Sequence, residues 1–368
     1  MTPPVSTQVA VIGGGVIGAA CARAAAARGL RTTLFEPGPL PAAASSASAG
    51  LLAAQIEIAD DQFYPLAIRG RDRYATLAPA LKDSTGIDIG FQAIGIASLA
   101  LDEPGAQILE EQVAMQRQAG LRCDWLTPTD VLERWPGLAS TCQGALFAPE
   151  DGALDPQALT GALLADARRL GAAVTHDAVR QVDISGGRTT AIRTARETVP
   201  CEHVVMAAGV WSPEVAGLPR RLPVEPMRGQ MLATAWPTAL PRGVFYHGHG
   251  YIVPRGNEAI AGSTMEQVGF ASQTTAEGLA QIRRVVTAIC PSFRDLPAAR
   301  TWAGLRPVTP DSLPILGPDP DVQGLWYATG HGRNGILLAA LTGDIIAELL
   351  QSGSSTVDLS PFSVGRFG

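Results

Sequence analysis

A strand that ends in glycines and restarts as a helix is the feature that most restricts this chain. Val9-Ala10-Val11-Ile12 is a four-residue apolar run, and Gly13-Gly14-Gly15-Val16-Ile17-Gly18 follows it directly. Gly13, Gly15 and Gly18 fit G-x-G-x-x-G. The first permits a tight turn, the second lets a pyrophosphate approach the backbone, and the third lets helix and strand pack closely. The alanine-rich segment Ala19 to Leu30 reads as the helix, with its free N–H groups turned to the phosphates. A second strand, Arg31 to Phe35, ends at Glu36, whose carboxylate suits ribose hydroxyls. Three glycines alone can simply make a corner. Strand, glycines, helix, strand and acid in this order point to a dinucleotide.

The chain has 368 residues, more than one core usually organises, so two domains are expected. A hydrophobic share of 46% against 17% charged residues describes a large core, and a net charge of −6 argues against a nucleic-acid surface. Cys21, Cys123, Cys142, Cys201 and Cys290 are scattered, with no C-x-x-C pair. They read as buried spectator thiols in a reducing compartment. The histidines His176, His203, His247 and His331 lack metal-ligand spacing, so no metal is expected. No uninterrupted apolar run reaches the roughly 18 residues of a membrane span. Met1-Thr2-Pro3-Pro4 lacks the basic start of a signal peptide, so the expected location is the cytoplasm.

Further along, Ala42 to Gly50 is almost all Ala and Ser, which fits either a linker or a close-packed loop against a cofactor. An amphipathic helix is expected over Phe63–Leu81, strands at Ile87–Gln92 and Ile94–Leu101, and a helix from Pro104 to Ala119. Thr127 or Thr129 is a plausible N-cap for a short helix. Asp155-Pro156 opens a helix to about Leu170 that Gly171 stops. Val174–Ile184 and Thr189–Arg193 read as strands joined at Gly186-Gly187, and His203 to Gly209 as a buried strand ending in a turn. Strand patterns recur at Gln230–Thr234, Val244–Tyr246, Tyr251–Pro254 and Ala259–Ala261, followed by a helix over Thr275–Cys290.

Near the C-terminus a second strand, glycine turn and helix appears: Trp326 to Gly330, then Gly330-His331-Gly332-Arg333-Asn334-Gly335, then Ile336 to Leu350. An ordinary crossover would look the same. A long cofactor such as FAD needs a second helix N-terminus, however, whose dipole stabilises negative charge on a reduced flavin.

With these stretches the chain resembles the D-amino acid oxidase superfamily of FAD oxidoreductases, and within it the glycine oxidase group of the thiamine pathway. The matching runs are VIGGGVIG, SSASAGLLAAQIE (Ser45 to Glu57), VVMAAGVWS, PVEPMRGQML, YHGHGYIVPR, WAGLRPVTPDSLPILG and GHGRNGILLA. The resemblance spans nearly the whole chain in order. It implies an α/β fold: a discontinuous Rossmann-like FAD-binding domain (1–60, 145–220 and 300–368) and an α+β substrate domain with a large antiparallel sheet (61–144 and 221–299).

The resemblance also implies roles. Arg306 binds the substrate carboxylate, a task suited to a guanidinium fork that keeps its charge. Arg333 lies near the substrate, and Tyr251 and His249 belong to the pocket strand, with Tyr246 beside them. For the cofactor it implies Gly13, Gly15, Val16, Ile17, Gly18, Glu36, Pro37, Ala44, Ser45, Ala49, Gly50 and Leu51. Val179 meets the adenine. Gly209, His331, Gly332, Arg333, Asn334, Gly335, Ile336 and Leu337 complete the path. Each has a plainer alternative: Arg306 paired with Asp311, Arg333 capping a carbonyl, His249 solvated in its loop, Tyr251 in the core. Leu51 stands where the group carries methionine, a volume-conserving change. Gly248 and Gly250 leave little bulk on the pocket strand. No cysteine lies in Leu305–Gly317, where sarcosine-oxidase relatives attach flavin, so non-covalent FAD is expected.

The implied activity is FAD-dependent oxidation of glycine and other small amino acids (sarcosine, small D-amino acids). Hydride leaves Cα for flavin N5, oxygen becomes hydrogen peroxide, and the imino acid hydrolyses to a 2-oxo acid and ammonia. The implied partners are the amino acid and molecular oxygen, in a homo-oligomer. Two alternatives compete: a D-amino acid dehydrogenase that passes electrons to a quinone, and a non-catalytic flavin-binding subunit.

Overall fold

The computed structural model describes residues 7–40, 43–57 and 63–368. Met1–Pro4, Ala42 of the small-residue run with Pro41 before it, and residues 58–60 of the first expected cofactor segment lie outside the described residues.

The strand before the glycine turn lies inside the first sheet. Val9–Ile12 pairs in parallel with Thr32–Phe35 on one side and His203–Met206 on the other. Ala173–Thr175 and Leu325–Thr329 extend it in parallel, and Ile315–Pro318 closes one edge antiparallel to Leu325–Thr329. Close packing depends on missing side chains: a Cβ on Gly18 would lie 1.9 Å from the Gly13 carbonyl oxygen. The helix Val16–Ala27 is alanine-rich for a related reason. It is buried almost throughout and crosses the C-terminal helix Gly335–Ser352 so closely that a Cβ on Gly343 would sit 2.7 Å from the Ala20 carbonyl oxygen. Ile345, Ile346 and Leu349 are buried on the C-terminal helix, each contributing about 1.5–3 kcal/mol of transfer free energy. By length and hydropathy a stretch ending in this helix (Gly332–Ser352) could cross a membrane, but 67% of that stretch is buried inside the protein.

The second sheet has eight strands, in the order Arg300–Val308, Glu225–Ala235, Glu258–Gly262, Gly250–Arg255, Val244–His247, Ile96–Ala100, Gly144–Ala148 and Asp124–Leu126. All its pairings are antiparallel except Val244–His247 with Ile96–Ala100, which run parallel. Residues 145–148 and 300–308, expected among the cofactor segments, lie in this sheet. Val179–Ser185, Arg188–Thr194 and Thr198–Pro200 form a smaller antiparallel sheet.

Several local expectations need correction. The helix expected over Phe63–Leu81 is two, Tyr64–Asp72 and Tyr74–Thr85, which meet at Arg73. Ile87–Gln92 is not a strand; only Gln92 makes a β-bridge, to Ala153. Val174–Ile184 divides between two sheets, because Ala173–Thr175 joins the parallel sheet and Val179–Ser185 the small one. Capping logic holds at Asp155, whose carboxylate accepts from the N–H groups of Gln157 and Ala158, and at Thr127, which makes a capping box with Asp130. All five cysteines are free and buried.

Candidate active site

The two glycine turns face one cavity. Its volume is about 1030 Å3, and it runs from Glu36, Pro37 and Val179 past Gly13, Gly15 and Gly209 to Tyr246, Tyr251, Arg306 and Arg333. Both helices aimed at it lack a side-chain bond from their own N-cap residue, Gly15 in one case and Asn334 in the other. Asp102, Thr127, Asp155 and Thr275 cap four helices elsewhere. At the first of these ends Ser45 takes the Val16 N–H, and the positive end of each helix still faces the cavity.

Nearly all the residues expected to hold the cofactor line this cavity: Gly13, Gly15, Val16, Ile17, Glu36, Pro37, Ala44, Ser45, Ala49, Leu51, Val179, Gly209, His331, Gly332, Arg333, Asn334, Gly335, Ile336 and Leu337. Gly18 and Gly50 do not line it. Gly18 sits beneath the Gly13 carbonyl, and a Cβ on Gly50 (φ +82°) would meet the Leu154 carbonyl oxygen at 1.9 Å, so both serve backbone packing. Gly15 differs. A Cβ there would meet little except Ser45 Oγ at 3.1 Å, leaving open space above the turn. Ser45 Oγ accepts from the Val16 N–H (2.8 Å). Glu36 accepts from the Gly14 and Gly38 N–H groups at 2.8 and 2.9 Å, which holds its carboxylate at the cavity wall.

The alanine–serine run is neither linker nor open loop over its described part. Ala43–Ala47 is a short helix. Backbone carbonyls of the run accept from Trp302 (at Ala47), Gln157 (at Ser46) and Arg255 (at Ala49), at 2.9, 3.0 and 2.6 Å. His331 lines the cavity, but its ring is buried with Nε2 3.1 Å from Thr342 Oγ1. Burial holds the imidazole down at about 3, so it stays neutral at ordinary pH.

At the other end, Arg306 lies on the edge strand of the second sheet. Its Nη1 donates to the Thr264 carbonyl (3.1 Å) and its Nη2 to Ser263 Oγ (2.7 Å). The alternative pairing with Asp311 does not form: Asp311 binds Arg366 at 2.7 Å, and Arg306 has no acidic partner among the described residues. Tyr251 and Tyr246 are buried cross-strand neighbours with ring centroids 5.3 Å apart. Burial pushes the Tyr251 phenol up, while the Arg306 charge beside it acts the other way. Tyr246 is pushed well up by burial and then by the charge of Glu57, to which its hydroxyl donates at 2.6 Å. His249 is exposed on the hairpin turn at the cavity wall. Arg333 is paired: its Nε lies 3.4 Å from Glu57 Oε2, and its Nη2 donates to the Glu57 carbonyl.

Sequence reasoning missed five residues here. Glu57 lines the cavity although it only ended a matching run. Ser263 and Thr264 hold Arg306, and Gly229 gives it room, since a Cβ there would fall within 2.0–2.4 Å of the guanidinium. Glu266 accepts from Thr264 Oγ1 (2.8 Å) and Arg228 Nε (2.9 Å), fixing the segment that receives Arg306. The run Gly262-Ser263-Thr264-Met265-Glu266, polar residues directly after an apolar strand, was the available signal. Among the described residues no group of three or more His, Cys, Asp or Glu converges on a metal position.

The family described as FAD dependent oxidoreductase has a sequence profile that matches residues 8–349. A glycine oxidase of Geobacillus kaustophilus is 36% identical over 365 residues, covering 98% of this chain and 97% of that protein. The crystal structure of glycine oxidase from the same species superposes with a TM-score of 0.92 at 34% identity, over 97% of this chain and 98% of that one. A hydrogen cyanide synthase subunit of Pseudomonas aeruginosa, HcnC, is 30% identical, covering 98% of this chain and 96% of the relative.

Proposed function

The chain belongs to the FAD dependent oxidoreductase family, and we propose that it is an oxidase of glycine and other small amino acids such as sarcosine and small D-amino acids. In this reading the amino acid becomes an imino acid that hydrolyses to a 2-oxo acid and ammonia, while oxygen becomes hydrogen peroxide. The carrying observation is Arg306, a guanidinium without an acidic partner among the described residues, at the far end of a cavity built for a long, twice-anchored ligand.

FAD fits the residues present. The space over Gly15 and the helix N-terminus behind it suit a pyrophosphate, and Glu36 and Val179 lie toward the adenosine end. First-turn amides at Gly335 to Leu337 suit the flavin end. No cysteine lines the cavity among the described residues, which supports non-covalent binding. When bound, FAD supplies the acceptor for the substrate hydride and the route of electrons to oxygen.

The chain's own groups then bind and orient. Arg306 takes the carboxylate as a bidentate partner, each charge-assisted bond worth about 1.5–3 kcal/mol. Tyr251, its phenol kept protonated by burial, offers a hydroxyl next to that carboxylate. The apolar walls around Met231, Tyr246 and Ile56 exclude water and strengthen both contacts. Acceleration comes from positioning rather than from a side-chain base. We divide the chain on this basis: the parallel sheet and its helices hold the cofactor, and the eight-stranded sheet, with residues 300–308, carries the substrate pocket.

The test is oxygen uptake and peroxide release by purified yellow protein with glycine, sarcosine, D-alanine and D-proline. One peroxide per substrate consumed supports the oxidase. Flavin bleaching by substrate with slow recovery in air replaces it with a quinone-linked dehydrogenase. Unchanged turnover and substrate affinity in Arg306→Ala would sink the site assignment.

A further inference from the structure

The cavity wall carries three arginines among the described residues: Arg180 beside Val179, Arg306, and Arg333. Arg333 is not available in the way Arg306 is. Glu57 grips it twice, through its carboxylate at Nε and its backbone carbonyl at Nη2. Glu57 is itself held by the buried Tyr246 hydroxyl at 2.6 Å. The pair adjoins the substrate pocket, because Tyr246 packs on Tyr251 and the charges of Glu57 and Arg306 both act on the Tyr251 phenol.

We propose that Glu57 sets the charge class of the substrate: by neutralising Arg333 it restricts the pocket to amino acids with one carboxylate and turns away those bearing a second anionic group on the amine. This rests on the oxidase reading above. A second carboxylate near Arg333 meets a positive and a negative charge a few ångströms apart, whose fields largely cancel. It still loses its own hydration, so the pocket gains nothing from it. Without the Glu57 charge, Arg333 becomes a net cation facing the same space. Glu57→Gln removes that charge while keeping the shape and an oxygen that accepts from Tyr246.

The test compares two non-oxidisable ligands, glycolate with one carboxylate and diglycolate with two, titrated calorimetrically into the flavin-loaded protein. In E57Q the preference for diglycolate over glycolate rises tenfold or more, about 1.4 kcal/mol of selectivity. In R333Q it falls below wild type, because Glu57 is left an unpaired anion, and in the double variant it returns towards wild type. A ratio within threefold of wild type in E57Q, or a rise in R333Q, overturns the proposal. If E57Q does not retain flavin, R333Q decides the matter alone. Turnover of glycine and sarcosine by the wild type is measured in parallel. Its absence would defeat the oxidase reading while the binding ratios still judge Glu57.

Discussion

Gly229 and Arg306 occupy one volume: a Cβ on Gly229 would lie 2.0 Å from Arg306 Nη1. The two residues sit on adjacent antiparallel strands, where Gly229 is paired with Gly304 and Met227 with Arg306. The guanidinium therefore folds over a position with no side chain. Gly229→Ala leaves the strand intact but displaces the fork from Ser263 and Thr264. Steady-state kinetics should show kcat/KM lowered tenfold or more, most of it in KM, with the circular dichroism unchanged. Wild-type kinetics in this variant would mean that Arg306 does not anchor substrate.

Charge alone does not replace Arg306. Lysine offers a point charge in place of a two-pronged planar donor, and its shorter reach gives up Thr264 or Ser263. Both Arg306→Lys and Arg306→Ala should lose about a hundredfold or more in kcat/KM, consistent with about 3 kcal/mol of charge-assisted bonding. Flavin content should stay at the wild-type level. A fully active lysine variant would argue for a single-point contact.

Glu266 makes stability depend on acid. Its hydrogen bond from Arg228, foremost, holds the carboxyl down at about 2 from the ordinary 4.5. A lowered folded pKa means the stabilisation is present above pH 4.5 and is lost as pH falls towards 2. Glu266→Gln should therefore melt about 1 °C below wild type at pH 7, the shift that about 1 kcal/mol produces in a chain of this length. The gap should close between pH 4.5 and 2. A gap that persists at pH 2 would assign the loss to packing instead of charge.

The glycines of the first turn should separate by phenotype. Gly15→Ala meets little beyond Ser45 Oγ, so it folds, but its methyl intrudes where a pyrophosphate would lie. It should purify with less than half the wild-type flavin. Gly18→Ala drives a methyl to 1.9 Å from the Gly13 carbonyl and should cost at least about 3 kcal/mol of stability, read as a fall in melting temperature or as insoluble protein. Equal flavin loss with equal destabilisation in both would contradict this division.

Short-range signals carried much of the architecture. The apolar run at Val9–Ile12, the glycines after it, the Asp155 cap and the second glycine turn act within a few residues, so they can be read from the chain. Other features depend on distant partners. Arg300–Val308 contains glycine and proline and looks irregular, yet it is an edge strand because Glu225–Ala235 offers it nine paired positions. Val174–Ile184 looks continuous, yet it splits because its two ends find different sheets.

The sequence by itself determined the glycine turn that we propose as the cofactor grip, since a tight turn and a close backbone approach at a helix start need only glycines in the right order. Arg306 was named only through the family resemblance of its Gly-Leu-Arg-Pro run, with a pairing to Asp311 as the plainer alternative. Only the tertiary structure decided which arginine stays available. Asp311 is five residues from Arg306 but binds Arg366, while Glu57 crosses to Arg333, 276 positions away. An ion pair forms where folding brings two charges within a few ångströms, and sequence separation places no limit on that distance.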